Sequence, residues 1–396
     1  MSESAILVTV AGPDHPGITA KLMTIVRSHN AKLADMGQAV THGLLSLSFV
    51  LIEKDENNPV LKDLLFEASK MGLNLTYQKV SQKSLINGEQ LEKFILNCIA
   101  VEGLTAAFLG DIATCLASQN VNILRIDNVD SRHFNVIEIS TTLPKDLEIK
   151  QLKSELLKIS NSHQIDVAFL KDNVFRRSKR LIVFDMDSTL IQTEVIDELA
   201  ELAGAGKEVR MITEAAMNGE MDFDESLKRR VALLKGLKAE RMDEIIKKLP
   251  ITPGAEDFIK TVKSLGYKVA LISGGFSYFA DHLKEKLGLD YAFSNDLKIK
   301  DGVLTGEIEG TIINAHQKAL LLKVIAQQEK ISLEQVVAIG DGANDLPMLS
   351  TAGLGIAYHA KDVVKKKAEQ HMSHGPMTSI LYFLGIPGAL DKPNKG

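Results

Sequence analysis

Apolar positions along this chain follow two rhythms, one of strand character and one with helical spacing. Residues 5–11 (AILVTVA) form a short apolar run that reads as a strand, and over 17–30 the residues Ile18, Leu22, Ile25 and Val26 recur at helical spacing. Further strands are predicted at 33–40 and 44–52, then a helix over 57–71 with Val60, Leu64 and Leu65 on one face, then a strand at 73–80. The order is βαββαβ. It restarts with a strand at 94–100 and a helix at 104–119, where Asn120 follows its helix as Asn30 follows the first, at an offset of 90 residues. An internal duplication is predicted.

Two such units side by side resemble ACT domains, ferredoxin-like modules that pair through their sheets and hold a small amino acid at the interface. The resemblance covers residues 1 to about 172 and implies a first unit at 1–82 and a second at 90–172. In the first, Gly12-Pro13-Asp14-His15-Pro16-Gly17 matches the family's Gly-x-Asp-x-x-Gly ligand turn. Glycine lets backbone approach a ligand, and a helix N-terminus holds a carboxylate. Gly12, Asp14 and Gly17 are thus candidates for a regulatory serine or glycine site, and the resemblance implies a homodimer. A tight turn with Asp14 at the helix entry is the alternative for so short a motif. At the offset of 90 the second unit carries Glu102, Leu104 and Ala107, which depart from the pattern.

The basic stretch Phe175-Arg176-Arg177-Ser178-Lys179-Arg180 marks a boundary and reads as a solvated linker, so no nucleic-acid role attaches to it. Beyond it, residues 181–184 (LIVF) have the continuous apolar character of a buried parallel strand and run into Asp185-Met186-Asp187-Ser188-Thr189. Two carboxylates at the C-terminal end of such a strand lie where open α/β sheets bind ligands, and they suit a hard cation such as magnesium. An ordinary acidic turn would look the same in isolation.

A second apolar run, 268–272, ends in Ser273-Gly274-Gly275, whose hydroxyl and unobstructed amides can cradle phosphate oxygens. A third, 336–340, ends in Asp341-Gly342-Ala343-Asn344-Asp345, with Pro347 placed to begin a helix. Between them Lys318 sits on a helical stretch at 315–326, either as a charge for a dianionic phosphate or as a surface lysine.

The order of these segments, Asp-x-Asp-x-Thr, Ser-Gly-Gly, Lys and Asp-x-x-Asn-Asp, resembles the haloacid dehalogenase superfamily of phosphohydrolases from about residue 181 to 382. The resemblance implies a Rossmann-like parallel sheet at 180–396 with a small helical cap at about 196–250. Within that insertion, residues 221–234 (MDFDESLKRRVALL) resemble the cap of phosphoserine phosphatases. By that match Glu194 receives the substrate ammonium, Arg230 its carboxylate, and Phe223 closes over the site. Asp185 is then the nucleophile and Asp187 the general acid and base, with Lys318, Ser273 and Gly274 on the phosphate. Magnesium is expected on Asp185, Asp187 and Asp341, with Asp345 and Gly275 in support and Asn344 near the phosphate. Phosphoserine is the implied substrate. A phosphotransferase, a phosphatase for another small ester, and an amino-acid-binding regulator are the alternatives.

Composition narrows the field further. The 396 residues are 45% hydrophobic and 24% charged with a net charge of −5, and the basic residues form no stripe, which argues against nucleic acid as partner. No apolar stretch approaches the ~18 residues that span a bilayer, so no membrane role is expected. The start of the chain lacks a basic leader, and its apolar run is cut by Pro13 and Asp14, so a cytoplasmic protein is expected. Cys98 and Cys115 each lie in apolar segments and read as reduced core residues.

Overall fold

The first apolar run becomes β1 (Ser4–Pro13) in a computed structural model that describes residues 4–53, 59–80, 92–130, 134–217 and 220–386. The chain divides into two compact units, Met1–Leu91 and Glu92–Gly396. The expected boundaries at 82 and 90 lie outside the described residues.

In the first unit β1 is followed by α1 (Ile18–Ser28), β2 (Lys32–Thr41), β3 (Leu44–Glu53), α2 (Val60–Lys70) and β4 (Asn74–Val80). The strands form an antiparallel sheet in the order β2-β3-β1-β4. Helix α1 buries Ile18, Leu22 and Val26, and α2 buries Val60, Leu64 and Ala68, in each case one residue per turn. Leu65, expected on the inner face of α2, is 39% exposed because it lies one residue, about 100°, off that stripe.

The second unit begins with the same architecture: β5 (Lys93–Ile99), α3 (Ala106–Ser118), β6 (Asn122–Asn128), β7 (Val136–Thr142), α4 (Ile149–His163) and β8 (Asp166–Lys171). Its sheet order, β6-β7-β5-β8, repeats the first. Asn30 and Asn120 adopt matching left-handed backbones, with φ of 53° and 55°, which asparagine tolerates better than most residues. The offset of 90 therefore holds where the helices end. It fails where they begin: α1 has 11 residues after Gly17, whereas α3 has 13 after Thr105. Thr105, not Ala107, stands in the place of Gly17, and its hydroxyl accepts from the Phe108 N–H as a helix cap.

The remainder comprises β9 (Leu181–Phe184), the cap helices α5 (Val195–Ala203), α6 (Gly206–Met217), α7 (Phe223–Ala232) and α8 (Met242–Ile246), then α9 (Ala255–Ser264) and β10 (Lys268–Phe276). These are followed by α10 (Ser277–Leu287), β11 (Tyr291–Lys300), β12 (Val303–Glu309), α11 (Ala315–Gln328), β13 (Val336–Gly340) and α12 (Leu346–Thr351). The chain closes with β14 (Leu354–Tyr358), α13 (Asp362–Lys365), β15 (Gln370–Met372) and α14 (Ile380–Phe383). The sheet order is β12-β11-β10-β9-β13-β14-β15, parallel except for the β11–β12 pair. All four side chains of central β9 are fully buried, Ile182 and Phe184 in one apolar layer and Leu181 and Val183 in the other. Each contributes roughly 1.5–3 kcal/mol of burial. The chain leaves β9 toward β10 on one side and returns to β13 on the other, so the crevice at their C-terminal ends is a topological switch point.

The basic connector departs from its expected solvated state. Arg176 is 5% exposed and pairs with Glu138 on β7, and Lys179 is 6% exposed with its ammonium on the Glu334 carbonyl. Acceptors on the flanking elements take the two terminal nitrogens of Arg176 and the ammonium of Lys179, so the charges are used at a junction rather than in water. The same junction holds Gln370, whose amide bonds both the N–H and the C=O of Phe169, at 2.9 and 2.8 Å. Cys98 and Cys115 are buried and unpaired, as expected.

Candidate active site

Strand β9 delivers Asp185 to the crevice, where its N–H donates to the Ile339 carbonyl of β13 (2.9 Å). The chain then turns sharply through Met186–Leu190, with Ser188 at φ 57°. That turn aims Asp187 into the same space. Its Oδ1 accepts from the Val195 N–H at the start of α5 (3.1 Å), while the Ser188 hydroxyl donates to Glu194 (2.7 Å).

Lys318 is not a surface lysine. It is 1% exposed, and its Nζ lies 2.6 Å from Asp185 Oδ1 and 2.7 Å from Asp345 Oδ1. Asp345 also accepts from the Gly342 N–H (2.9 Å), and the Thr189 hydroxyl donates to Asp341 Oδ1 (2.9 Å). Carboxylate oxygens of Asp185, Asp341 and Asp345 all fall within 4.8 Å of one another, an all-oxygen donor set that suits a metal ion.

From β10, the Ser273 hydroxyl accepts from the Gly275 N–H (2.8 Å), which leaves its own proton free to point into the crevice. Gly275 has a steric reason to be glycine. A Cβ there would lie 2.6 Å from Met186 Cε and 2.7 Å from Asp187 Oδ2. From the cap, Phe223 reaches over the turn, its Cζ 3.0 Å from where a Cβ of Gly274 would stand. Among the described residues the hydrogen bonds of Arg230 are long, from Nε to the Ser226 carbonyl (3.4 Å) and from Nη1 to Thr213 Oγ1 (3.5 Å), so its fork remains available.

A cavity of about 790 Å³ joins these parts, lined among others by Asp185, Asp187, Glu194, Arg230, Asp341 and Asn344. Phe223, Ser273, Gly274 and Gly275 also line it, whereas Lys318 and Asp345 are buried behind Asp185. Gly12, Asp14 and Gly17 belong to the first unit. There Gly17 (φ 98°) is the N-cap of α1 and no side chain caps it, so Asp14, whose N–H donates to the Gly43 carbonyl (2.8 Å), is not the helix cap.

One residue that sequence reasoning missed is Asn295 on β11, 1% exposed. Its amide donates to the Gly274 carbonyl and its Oδ1 accepts from the Ile313 N–H, both at 2.8 Å. It fixes the Ser273-Gly274 turn against the approach to α11. A polar residue inside an otherwise strand-like segment was the only signal in the sequence.

Electrostatics follow from burial and from the number of acids. Burial, with Asp345 and Asp341 nearby, pushes Asp185 up to about 8 against the opposing pull of Lys318. Burial and Asp345 likewise push Asp341 up to about 7. Asp187 rises well above the carboxylate range through burial, Glu194 and Asp185. Glu194 is raised chiefly by burial, and burial lowers Arg230. Burial alone would lower Lys318 as well, but Asp185 and Asp345 carry it above its ordinary value. Acids so crowded around one lysine call for further positive charge.

A lysine-paired aspartate at the switch point of a parallel sheet, with acids beside it and a helical cap above, defines a haloacid dehalogenase-like hydrolase. The family of that description matches residues 182–350, and the ACT domain family matches residues 4–78. The chain is 36% identical over 386 residues to phosphoserine phosphatase SerB2 of Mycobacterium tuberculosis, covering 96% of this chain and 93% of that one. It is 38% identical over 383 residues to the phosphoserine phosphatase of Streptomyces coelicolor, covering 96% and 92%. A crystal structure of a probable phosphoserine phosphatase from Vibrio cholerae, unliganded, aligns with a TM-score of 0.60 at 38% identity, over 75% of this chain and 87% of that one. This chain belongs to the phosphoserine phosphatase family.

Proposed function

We propose that this protein hydrolyses O-phospho-L-serine to L-serine and phosphate, the last step of serine biosynthesis, through an aspartyl phosphate on Asp185. The observation that carries the reading is the pair of opposite charges in one cavity with the nucleophile: Glu194 for an ammonium and Arg230 for a carboxylate. A substrate without an amino-acid head would leave the Arg230 fork without a carboxylate to grip and Glu194 without an ammonium.

In this reading an Asp185 oxygen attacks phosphorus as the bond to the serine oxygen breaks. Asp187, whose pKa is pushed up by burial, Glu194 and Asp185, gives its proton to that oxygen. Water then attacks the aspartyl phosphate and loses a proton to Asp187, and the acyl–phosphate bond breaks to restore Asp185. Lys318 neutralises Asp185, while the Ser273 hydroxyl and the Gly274 amide hold phosphate oxygens, with Asn344 beside them. Asp185, the Asp187 carbonyl and Asp341, supported by Asp345, would hold magnesium, which would offset charge on the transferring group. Phe223 and the cap exclude bulk water.

We further infer a cytoplasmic homodimer that binds serine or glycine at Gly12, Asp14 and Gly17. In support, β2 shows Leu33, Met36 and Val40 to solvent, the kind of edge that a second sheet covers. Among the described residues no helix is long and apolar enough to cross a membrane.

The test is phosphate release from phosphoserine and from an aryl phosphate, by the wild type and by Arg230→Ala. The reading stands if the substitution abolishes turnover of phosphoserine and spares the aryl ester. It falls if the wild type cleaves only the aryl ester.

A further inference from the structure

Besides the crossings at 190–192 and 250–252 and the Tyr278 hydroxyl that donates to Asp243 (2.8 Å), the cap meets the core at the two ends of α7 in different ways. Beyond the C-terminal end of α7 the fastening is backbone: the Gly236 N–H donates to the Leu304 carbonyl (2.9 Å), the Leu304 N–H to Leu237 (2.8 Å) and the Ala239 N–H to Gly302 (2.9 Å). These bonds join the cap to the β11–β12 hairpin as part of a ladder. At the N-terminal end of α7, over the mouth of the cavity, Phe223 packs on Gly274, and among the described residues the hydrogen-bonded connection is one side-chain pair. Asn314 Nδ2 donates to both carboxylate oxygens of Asp224, at 3.2 and 3.3 Å.

Both partners sit where they can report on the site. Asp224 follows Phe223, the residue that covers Gly274. Asn314 is the N-cap of α11, its Oδ1 accepting from the Gln317 N–H (3.2 Å) and its carbonyl from the N–H of Lys318 (2.9 Å). Its neighbour Ile313 is bonded by Asn295, the residue that also holds the Gly274 carbonyl. Closing this pair therefore brings the cap onto the segments that carry Lys318 and the Ser273-Gly274 turn. The bonds are longer than the usual 2.9–3.0 Å and one partner is neutral, which suits a contact that must break in every turnover.

We propose that Asp224 and Asn314 form a latch that holds the cap closed over bound substrate, with the bonded segment at 236–239 acting as the hinge. They are positioning residues, neither touching the reacting atoms. The inference deepens the phosphoserine reading and rests on it for the substrate. A latch that favours the closed complex lowers KM, and because it must open again it contributes little to kcat.

The test is a swap of the two side-chain chemistries. Asn314→Asp keeps an oxygen for the Gln317 N–H but sets two carboxylates face to face. Its KM for phosphoserine should rise about tenfold with kcat changed only a few-fold, within the range of couplings between contacting groups. Adding Asp224→Asn to that variant restores a donor and an acceptor, and KM should return to within about threefold of wild type. Should Asn314→Asp fail to fold, Asp224→Ala on the cap is the substitute and should raise KM alike. An unchanged KM in the folded single variant, or no recovery in the double one, overturns the latch. Wild-type turnover of the aryl ester without phosphoserine would instead sink the substrate reading, and the same variants would then test the latch through the aryl ester's KM.

Discussion

Lys318 and Asp185, 133 residues apart in sequence, form a buried ion pair with Nζ 2.6 Å from Oδ1 and side-chain exposures of 1% and 7%. Such a pair is costly to assemble, because both charges leave water, and costlier to break, because the survivor stays buried. Here Asp345 takes a second hydrogen of the ammonium at 2.7 Å, so one cation serves two acids. The arrangement holds the pKa of the nucleophile, still raised to about 8, below where burial and the neighbouring acids alone would carry it.

Removing that cation should therefore cost both stability and rate. In Lys318→Met, a change that keeps much of the side chain's length, Asp185 and Asp345 lose their counter-charge and Asp185 climbs further from its ionised form. Unfolding in urea should show a loss of about 3–5 kcal/mol. Turnover should fall by at least about a hundredfold, the cost of losing one preorganised charge-stabilising group. Lys318→Arg should not rescue, since a planar fork does not replace a point charge in so small a space. Full activity in either variant would mean the pair is only structural.

The acid cluster predicts that magnesium stabilises the fold apart from any catalysis. With Asp185, Asp341 and Asp345 oxygens within 4.8 Å, a bound cation relieves their mutual repulsion. At a concentration a hundred times its dissociation constant, binding adds about 2.7 kcal/mol, so the melting temperature should rise by several degrees and fall back with chelator. Asp341→Asn should lose most of that rise. Equal melting curves with and without the ion would contradict the assignment.

The sheet and its strand ends were legible because continuous apolar runs such as 181–184 are buried on both faces, and polar motifs at their ends have nowhere to go but the crevice. The duplication was legible in the two asparagines, since a left-handed helix end selects that residue type. Burial of charge was not. Whether Lys318, Arg176 or Lys179 is solvated depends on acceptors supplied by Asp185, Glu138 and Glu334, and local sequence holds no record of those partners. Leu65 and the two-residue difference between α1 and α3 were missed because apolar periodicity fixes a face only to within a residue or two.

Asp166 makes a separate prediction about the junction of β8 with the catalytic sheet. It is fully buried, and its carboxylate accepts from the backbone N–H groups of Ser373 (2.6 Å), His374 (3.0 Å) and Gly375 (2.8 Å). Asp166→Ala strands those donors, and unfolding should show a loss of about 3 kcal/mol or more. Asp166→Asn, which keeps one acceptor oxygen, should lose less. A change below about 0.5 kcal/mol in the alanine variant, the level of an ordinary surface substitution, would show that the junction does not depend on it.

His371, on β15 beside Asp166, should make the fold sensitive to acid. It is 9% exposed, with Nε2 3.4 Å from the Ser160 hydroxyl. Burial lowers its pKa from 6.5 to about 4, aided by Lys365 and His374 and opposed by Asp166. Between those two values the unfolded chain binds a proton that the folded chain refuses, so stability rises with pH across the window and is lost as pH falls through it. The full difference is about 3 kcal/mol. Asp185 acts with the opposite sign: its pKa is raised in the folded state, so its contribution is fully present at low pH and is lost as pH rises toward about 8. The raw pH profile therefore mixes the two. Comparing wild type with His371→Gln in urea at pH 7 and pH 4.5 removes the acids common to both, and the variant should lose less stability on acidification by about 2–3 kcal/mol. Parallel losses in the two proteins would show that His371 takes up its proton without unfolding the chain.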